Sequence, residues 1–320
     1  MKMWEEAPKT EIFGIQIYTF GLYCAIGALC AAAAICLLCR AEKTKKGTGF
    51  LLSFFCILFG LVFSRIAFCL LGSMDTGILP FRYWFSVSIG GWSLFAMIFG
   101  VFAGAWVCSA VTGENRKVLL DAVSCALPLM IAAERFSEKL FELFDISRTL
   151  PKDCFPANTF LAVQDPYYNE VSYLATYLAA AIAAMILFLV LVFFLTRGRK
   201  EGDLWILFLL LCGAGGILLE SLRYDHFMEF SFVRFEQVMA AGLLAWGVLS
   251  AAARNRIRKG LRISAFISLP AVIGAVIVIE FALDRSSLSH YLLYAMMAVL
   301  LAVPVTLGIL LLRKREKETA

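Results

Sequence analysis

Residues 55–72 read FCILFGLVFSRIAFCLLG. An unbroken apolar run of this length, carrying Arg65 as its one charge, is long enough to cross the roughly 30 Å hydrocarbon core of a bilayer as a helix. The rest of the chain repeats the pattern. Of 320 residues, 61% are hydrophobic and 17% charged, and the mean hydropathy is +0.83. Soluble domains hold roughly 45–50% apolar and about 25% charged residues, so a soluble globular class is excluded. The expected fold is all-α and polytopic, with about nine spans near 13–39, 50–72, 86–110, 119–133, 172–196, 204–222, 238–253, 263–283 and 291–312. The fourth and seventh of these are short, which suggests tilt, partial burial or extension by a polar turn.

Positive charge gathers in alternate loops. Arg40, Lys43, Lys45 and Lys46 follow the first span, and Arg116 and Lys117 the third. Arg197, Arg199 and Lys200 follow the fifth, Arg254, Arg256, Arg258, Lys259 and Arg262 the seventh, and Arg313, Lys314, Arg315 and Lys317 the last. With nine helices all five clusters share one side, which the positive-inside rule places in the cytoplasm, leaving the N-terminus outside and the C-terminus inside. The net charge of +5 is then topology, and no nucleic-acid partner is expected. The longest polar segment, about 134–171, falls on the outer side and reads as a cap or lid with amphipathic helical pieces, since loops of this length are usually functional. Residues 1–256 are expected to form the core and 257–320 an additional transmembrane hairpin with a basic tail.

Nine of the ten cysteines lie in or beside apolar runs, where they act as small hydrophobes, and only Cys154 falls in a polar stretch. There are two histidines and neither a CxxC nor an HExxH pattern, so no metal and no cofactor are expected. The chemistry must come from charges within the membrane, which mark a site or a buried pair. The candidates are Arg65, Asp121, Glu134, Arg135, Glu220, Arg223 and Glu280. Gly60 and Ser64 form a small-xxx-small step beside Arg65, and Gly90, Gly91, Gly100 and Gly104 make a thin face on the third span, so close helix packing is expected at both. Glu280, alone near the end of its span, reads as a structural or interfacial carboxylate. The sixth span, which ends in GGILLESLRYD at 215–225, carries a stripe of Gly213, Gly216, Glu220 and Arg223 at spacings of three and four, hence on one helix face. Glu220 and Arg223 can neutralise each other, or Arg223 can snorkel to the surface. Three arginines in the outer halves of spans fit a different use, because guanidinium forks match phosphate and a site between helices can hold an anionic lipid headgroup.

Five stretches in order then resemble the bacterial prolipoprotein diacylglyceryl transferases, from about residue 13 to 253. YTFGLYCAIG, with Gly21 and Gly27, is similar to the family's first-helix pattern, and SRIAF to its GGRLGY with Arg65 as the arginine. FSVSIGG, ending on Gly90 and Gly91, sits where the family has HGG. Asp121 and Pro128 followed by ERFSEKLFE resemble D-x(6)-P leading into GRxGNFxNxE, with Arg135 as the arginine. GGILLESLRYD resembles GxxRFxxExxR, with Glu220 and Arg223 on its Glu and final Arg.

The resemblance implies a multi-pass protein of the bacterial cytoplasmic membrane that moves a diacylglyceryl group from phosphatidylglycerol, or another anionic phospholipid, to the lipobox cysteine of a preprolipoprotein. It implies that Arg135 and Arg223 grip phosphate, with Glu220 and Arg65 ordering the site. Substrate contacts are expected at Arg65, Gly90, Gly91, Glu134 and Glu138. Ile89 stands where the family has His, Phe20 where it has Tyr, Glu138 at its Asn and Glu134 at its first motif glycine. The phosphate-gripping residues are kept and the proton-handling ones are not. His226, one turn beyond Arg223, is a candidate base, and Glu134 and Glu138 are others. The alternatives are a catalytically degenerate phospholipid-binding paralogue and a transporter lined by Arg65 and Glu220. Against the transporter stands the lack of an internal repeat with broken helices.

Overall fold

In a bilayer core each backbone N–H and C=O must be satisfied within its own segment, so the apolar runs are helices. The computed structural model describes residues 9–12, 15–71, 81–85, 91–140, 149–150, 159–164, 172–197, 200–223, 229–230, 233–254 and 259–312. They contain α1 (Thr19–Ala41), α2 (Thr48–Leu71), α3 (Leu94–Thr112), α4 (Arg116–Ser137), α5 (Thr176–Leu195), α6 (Asp203–Ser221), α7 (Phe235–Arg254), α8 (Lys259–Arg285) and α9 (His290–Leu312). Eight are long and apolar enough to span a membrane, so the protein is a polytopic all-α membrane protein. Exposed large apolar side chains such as Leu29, Phe54, Leu189, Ile267 and Val299 form the surface that lipid covers.

The ninth helix, α4, carries Arg116, Lys117, Asp121, Glu134 and Arg135 and is too charged to count as a span by composition. It is instead the centre of the bundle, packed on α1, α3, α5 and α6. Its middle, from Leu119 to Pro128, is buried throughout. Polar turns at both ends make it 22 residues long, and α7 is likewise 20, so the two short spans expected from the sequence are full-length helices.

Three spans begin later than expected. Residues 15–18 form a strand, β2 (Ile15–Tyr18), antiparallel to β1 (Lys9–Ile12), and α1 starts only at Thr19. Residues 91–93 precede α3 without being helical. Residues 172–174 form β5 (Ser172–Leu174), which pairs with β3 (Thr149–Leu150) and β4 (Ala162–Gln164) in the order β3-β5-β4. The described part of the 134–171 segment thus starts inside α4, passes one 3-10 turn at Glu138–Leu140, and continues as antiparallel sheet where helical pieces were expected. The short strands alternate apolar with polar residues, and a hydropathy window merges them with the neighbouring helix. A second small hairpin pairs β6 (Glu229–Phe230) with β7 (Val233–Arg234) just before α7.

The close helix packing expected from small residues is present between α2 and α3. A Cβ at Gly100 would strike the carbonyl of Phe59, and one at Gly104 the carbonyl of Phe55, so backbone of α2 lies directly on α3. Ser64 Oγ donates to the carbonyl of Ser93 at 2.8 Å across the same seam. The α8–α9 hairpin is docked on α6 and α7 rather than set apart. Gln237 Nε2 donates to Glu280 Oε1 at 2.7 Å, Tyr294 Oη donates to the carbonyl of Ser221 at 3.0 Å, and Gly308 lies against Leu210.

The basic loops meet at one end of the bundle. Lys45 Nζ donates to the carbonyl of Thr112 at 2.7 Å, Asn115 Nδ2 to Glu201 Oε2 at 2.5 Å, and Arg254 Nη2 to the carbonyl of Glu201 at 2.6 Å. Asp121 accepts the backbone N–H of Gly202 at 2.7 Å and that of Trp205 at 2.9 Å, so it caps the start of α6 from a neighbouring helix. The other sequence-predicted charges lie at the opposite end.

Candidate functional site

The last turn of α4 and the last turn of α6 end side by side. On α4 the helical repeat puts Ile131, Arg135 and Glu138 on one face, and the 3-10 turn holds Glu138 there. On α6 the acidic Glu220 stands at a helix C-terminus, where the macrodipole disfavours a carboxylate. A cation must offset it, and two do. Arg135 Nη2 donates to Glu220 Oε1, and Arg223 Nε lies 3.7 Å from Glu220 Oε2.

Glu138 joins the two arginines. Its Oε1 accepts from Arg135 Nη1 at 2.8 Å and from Arg223 Nη1 at 2.6 Å. Glu134 Oε2 lies 3.5 Å from Arg135 Nε, an ion pair without hydrogen-bond geometry, and that buried oxygen has no hydrogen-bond donor among the described residues. The Arg135, Glu138 and Glu220 side chains are 8%, 10% and 5% exposed. Charges so far from water persist only when paired. Among the described residues of this cluster three carboxylates face two guanidiniums.

Beside the cluster opens an apolar cleft of about 830 Å³, counting its mouth, between α3, α4, α5 and α6. Its walls are aliphatic and aromatic, with Phe95, Ile98, Ile131 and Leu187 among them, and the charged groups on it are Arg135 and Glu220 at its head. A trough for hydrocarbon that ends on ionic groups has the shape of an amphiphile. A smaller cleft of about 560 Å³ among α1–α4 is lined by no charged group and offers nothing to fix a headgroup.

Of the sequence-predicted residues, Arg135, Arg223, Glu220, Glu134 and Glu138 are brought together. Arg65 stands apart from this cluster and pins a loop. Its Nε donates to the carbonyl of Trp84 at 3.0 Å and its Nη1 to that of Gly91 at 3.1 Å, with the guanidinium 5.4 and 5.5 Å from the Phe68 and Trp92 rings. Gly91, with φ 78°, packs on the Phe68 ring where a Cβ has no room. His226, Gly90 and Ile89 lie outside the described residues. Asp121, grouped with these charges by sequence, belongs to the other end of the bundle.

Two features escaped the sequence reading. Glu236, in the first turn of α7, is buried and accepts the N–H of Leu94 at 3.1 Å and that of Phe95 at 3.1 Å, so it caps α3 across the bundle. The second is Gly216. With Glu220 and Arg223 in register with GxxRFxxExxR, Gly213 takes the glycine and Gly216 falls on the pattern's first arginine. The Phe95 ring occupies the space beside it, so a Cβ at Gly216 would collide with that ring. The pattern, laid residue by residue on the helix, was enough to find this second feature. Nothing local in the sequence marked Glu236.

No curated protein matches the chain. The family model for prolipoprotein diacylglyceryl transferase matches residues 9–281, which takes in all of α1–α7 and most of α8. The chain belongs to the prolipoprotein diacylglyceryl transferase family.

Proposed function

We propose that the protein transfers a diacylglyceryl group from a phospholipid seated in the α3–α6 cleft to the cysteine thiol of a prolipoprotein. The observation that carries this reading is the cleft itself, apolar along its length and closed at one end by Arg135 and Glu220. Acyl chains lie along α5 and α6, and the headgroup phosphate meets Arg135 and Arg223. The acceptor's sulfur, as thiolate, forms the bond to the glyceryl carbon while the bond from that carbon to the phosphate oxygen breaks. The bonding pair leaves with the phosphate, whose growing charge the two fixed guanidiniums stabilise. Glu138 and Glu134, beside the arginines, are candidates to take the thiol proton. His226 is a further candidate. Family resemblance supports phosphatidylglycerol as donor, the bacterial cytoplasmic membrane as location and the outer face as the side of the reaction. In this reading residues 1–256 carry the chemistry and 257–320 support it.

A second reading, a phospholipid-binding paralogue without transferase activity, is favoured by one observation: both arginines already bond to Glu138, and the pattern's inner arginine is Gly216. One experiment separates the two. Protein in lipid nanodiscs is mixed with a lipobox peptide, and the peptide is analysed by mass spectrometry. The transferase reading expects a thioether-linked diacylglyceryl adduct, lost in Arg135→Ala. Bound lipid without adduct supports the paralogue.

A further inference from the structure

We infer that the phospholipid held at the head of the cleft carries a cationic amine beside its phosphate, so that phosphate meets Arg135 and Arg223 while the ammonium meets Glu138 and Glu134. This rests on the lipid-binding reading above and departs from phosphatidylglycerol, the donor that the family resemblance supports.

The first ground is charge. Glu138 Oε1 is bonded to both guanidiniums, so a phosphate entering between them displaces it. Glu138 and Glu134 would then sit in a poorly hydrated site, their side chains 10% and 18% exposed, and no other cation is bonded to them among the described residues, Lys139 lying over the Phe136 ring. A buried carboxylate in that state is strongly disfavoured. Phosphatidylglycerol brings a negative charge and no positive one, so it worsens the imbalance. A zwitterionic headgroup adds no net charge, and its ammonium supplies three N–H donors, one of which answers Glu134 Oε2, the buried oxygen without a hydrogen-bond donor among the described residues.

The second ground is the set of exchanges that built the site. Glu134 stands at a glycine of the family signature, Glu138 at an asparagine, and Gly216 at an arginine. Each makes the site one charge more negative than the pattern, and each lies at the cleft head or on its wall. The remaining charges nearby are already engaged. Glu220 is bonded by Arg135, Glu236 by the α3 amides, and Arg65 by two carbonyls. The transfer step keeps its balance with such a donor. The sulfur–carbon bond forms, the carbon–oxygen bond breaks with its electron pair going to the phosphate oxygen, a carboxylate takes the thiol proton, and the phosphate monoester of an amino alcohol leaves in place of glycerol phosphate.

The test is competitive retention, which needs no turnover. The delipidated protein is reloaded from vesicles holding equal phosphatidylglycerol and phosphatidylethanolamine of identical acyl chains, repurified, and its lipid counted by mass spectrometry. The expected result is about tenfold enrichment of phosphatidylethanolamine, the scale of one favourable charge contact in a partly buried site. N-acetylation of the ethanolamine, which removes its positive charge, abolishes the enrichment on unaltered protein. Glu138→Asn moves the ratio towards phosphatidylglycerol. Equal retention, preference for phosphatidylglycerol, or enrichment that survives N-acetylation overturns the inference. An amine-free lipobox peptide added afterwards tests transfer separately: selective retention without adduct sinks the transferase reading and leaves this one standing.

Discussion

The two ends of the bundle solve one problem differently. At the basic end the buried carboxylate of Asp121 is satisfied by two backbone N–H groups at the start of α6. At the other end, Glu138 and Glu220 are satisfied by arginine side chains. Backbone amides at a helix start are fixed in place and leave nothing for a ligand. Guanidiniums at the head of a cleft are attached by rotatable stems, and a phosphate can exchange for the carboxylate they hold. The basic end is a joint, and in the proposed reading the acidic end is a site in which protein groups stand where a ligand's charges can go. Glu236 belongs with the joint in this comparison, although it lies beside the site, because it too spends its charge on amides.

Breaking the side-chain end should do the most damage to stability. Glu220→Ala removes the nearest carboxylate from the buried Arg135 and is expected to destabilise the protein by about 3–5 kcal/mol, read as a lowered thermal midpoint in nanodiscs. At the joint, Asp121→Ala strips the cap from α6 and should lower stability by about 1–2 kcal/mol while the ratio of retained lipids stays at the wild-type value. A change of lipid ratio in that variant would show that the two ends are coupled. Tyr294→Phe removes the hydrogen bond from the hairpin to the Ser221 carbonyl, next to Glu220, and should cost about 0.5–1.5 kcal/mol. Smallest is Glu138→Asn, which removes a surplus carboxylate. Its effect on the midpoint should stay within about 1 kcal/mol, although it changes which lipid is kept.

The helices and the grouping of basic loops were legible because both follow from local composition. The starts of three spans were not, since β2 and β5 are short stretches of mixed apolar and polar residues that a hydropathy window merges with the helix that follows. Arg135 and Arg223 were readable as site residues from the motifs. Their partners were not, because Arg135 meets Glu220, and Arg223 meets Glu138, across 85 positions of chain. The two caps are as non-local, with Asp121 reaching Gly202 across 81 positions and Glu236 reaching Leu94 across 142. Such pairs exist only after the helices pack, so no window along the sequence contains them. α4 shows the same limit from the other side. Its charges argue against a span, yet each end finds its counter-ions or amides on a neighbour.

Gly216 and Phe95 together limit how this protein can change. The ring fills the space that a side chain at 216 would need, and the amide of Phe95 is held by Glu236. An arginine introduced at 216 by itself meets an aromatic ring in a helix start that is anchored from two sides. That ring must turn aside or be made smaller before a side chain at 216 can enter the cleft wall, so positions 95 and 216 are expected to respond to substitution as one unit.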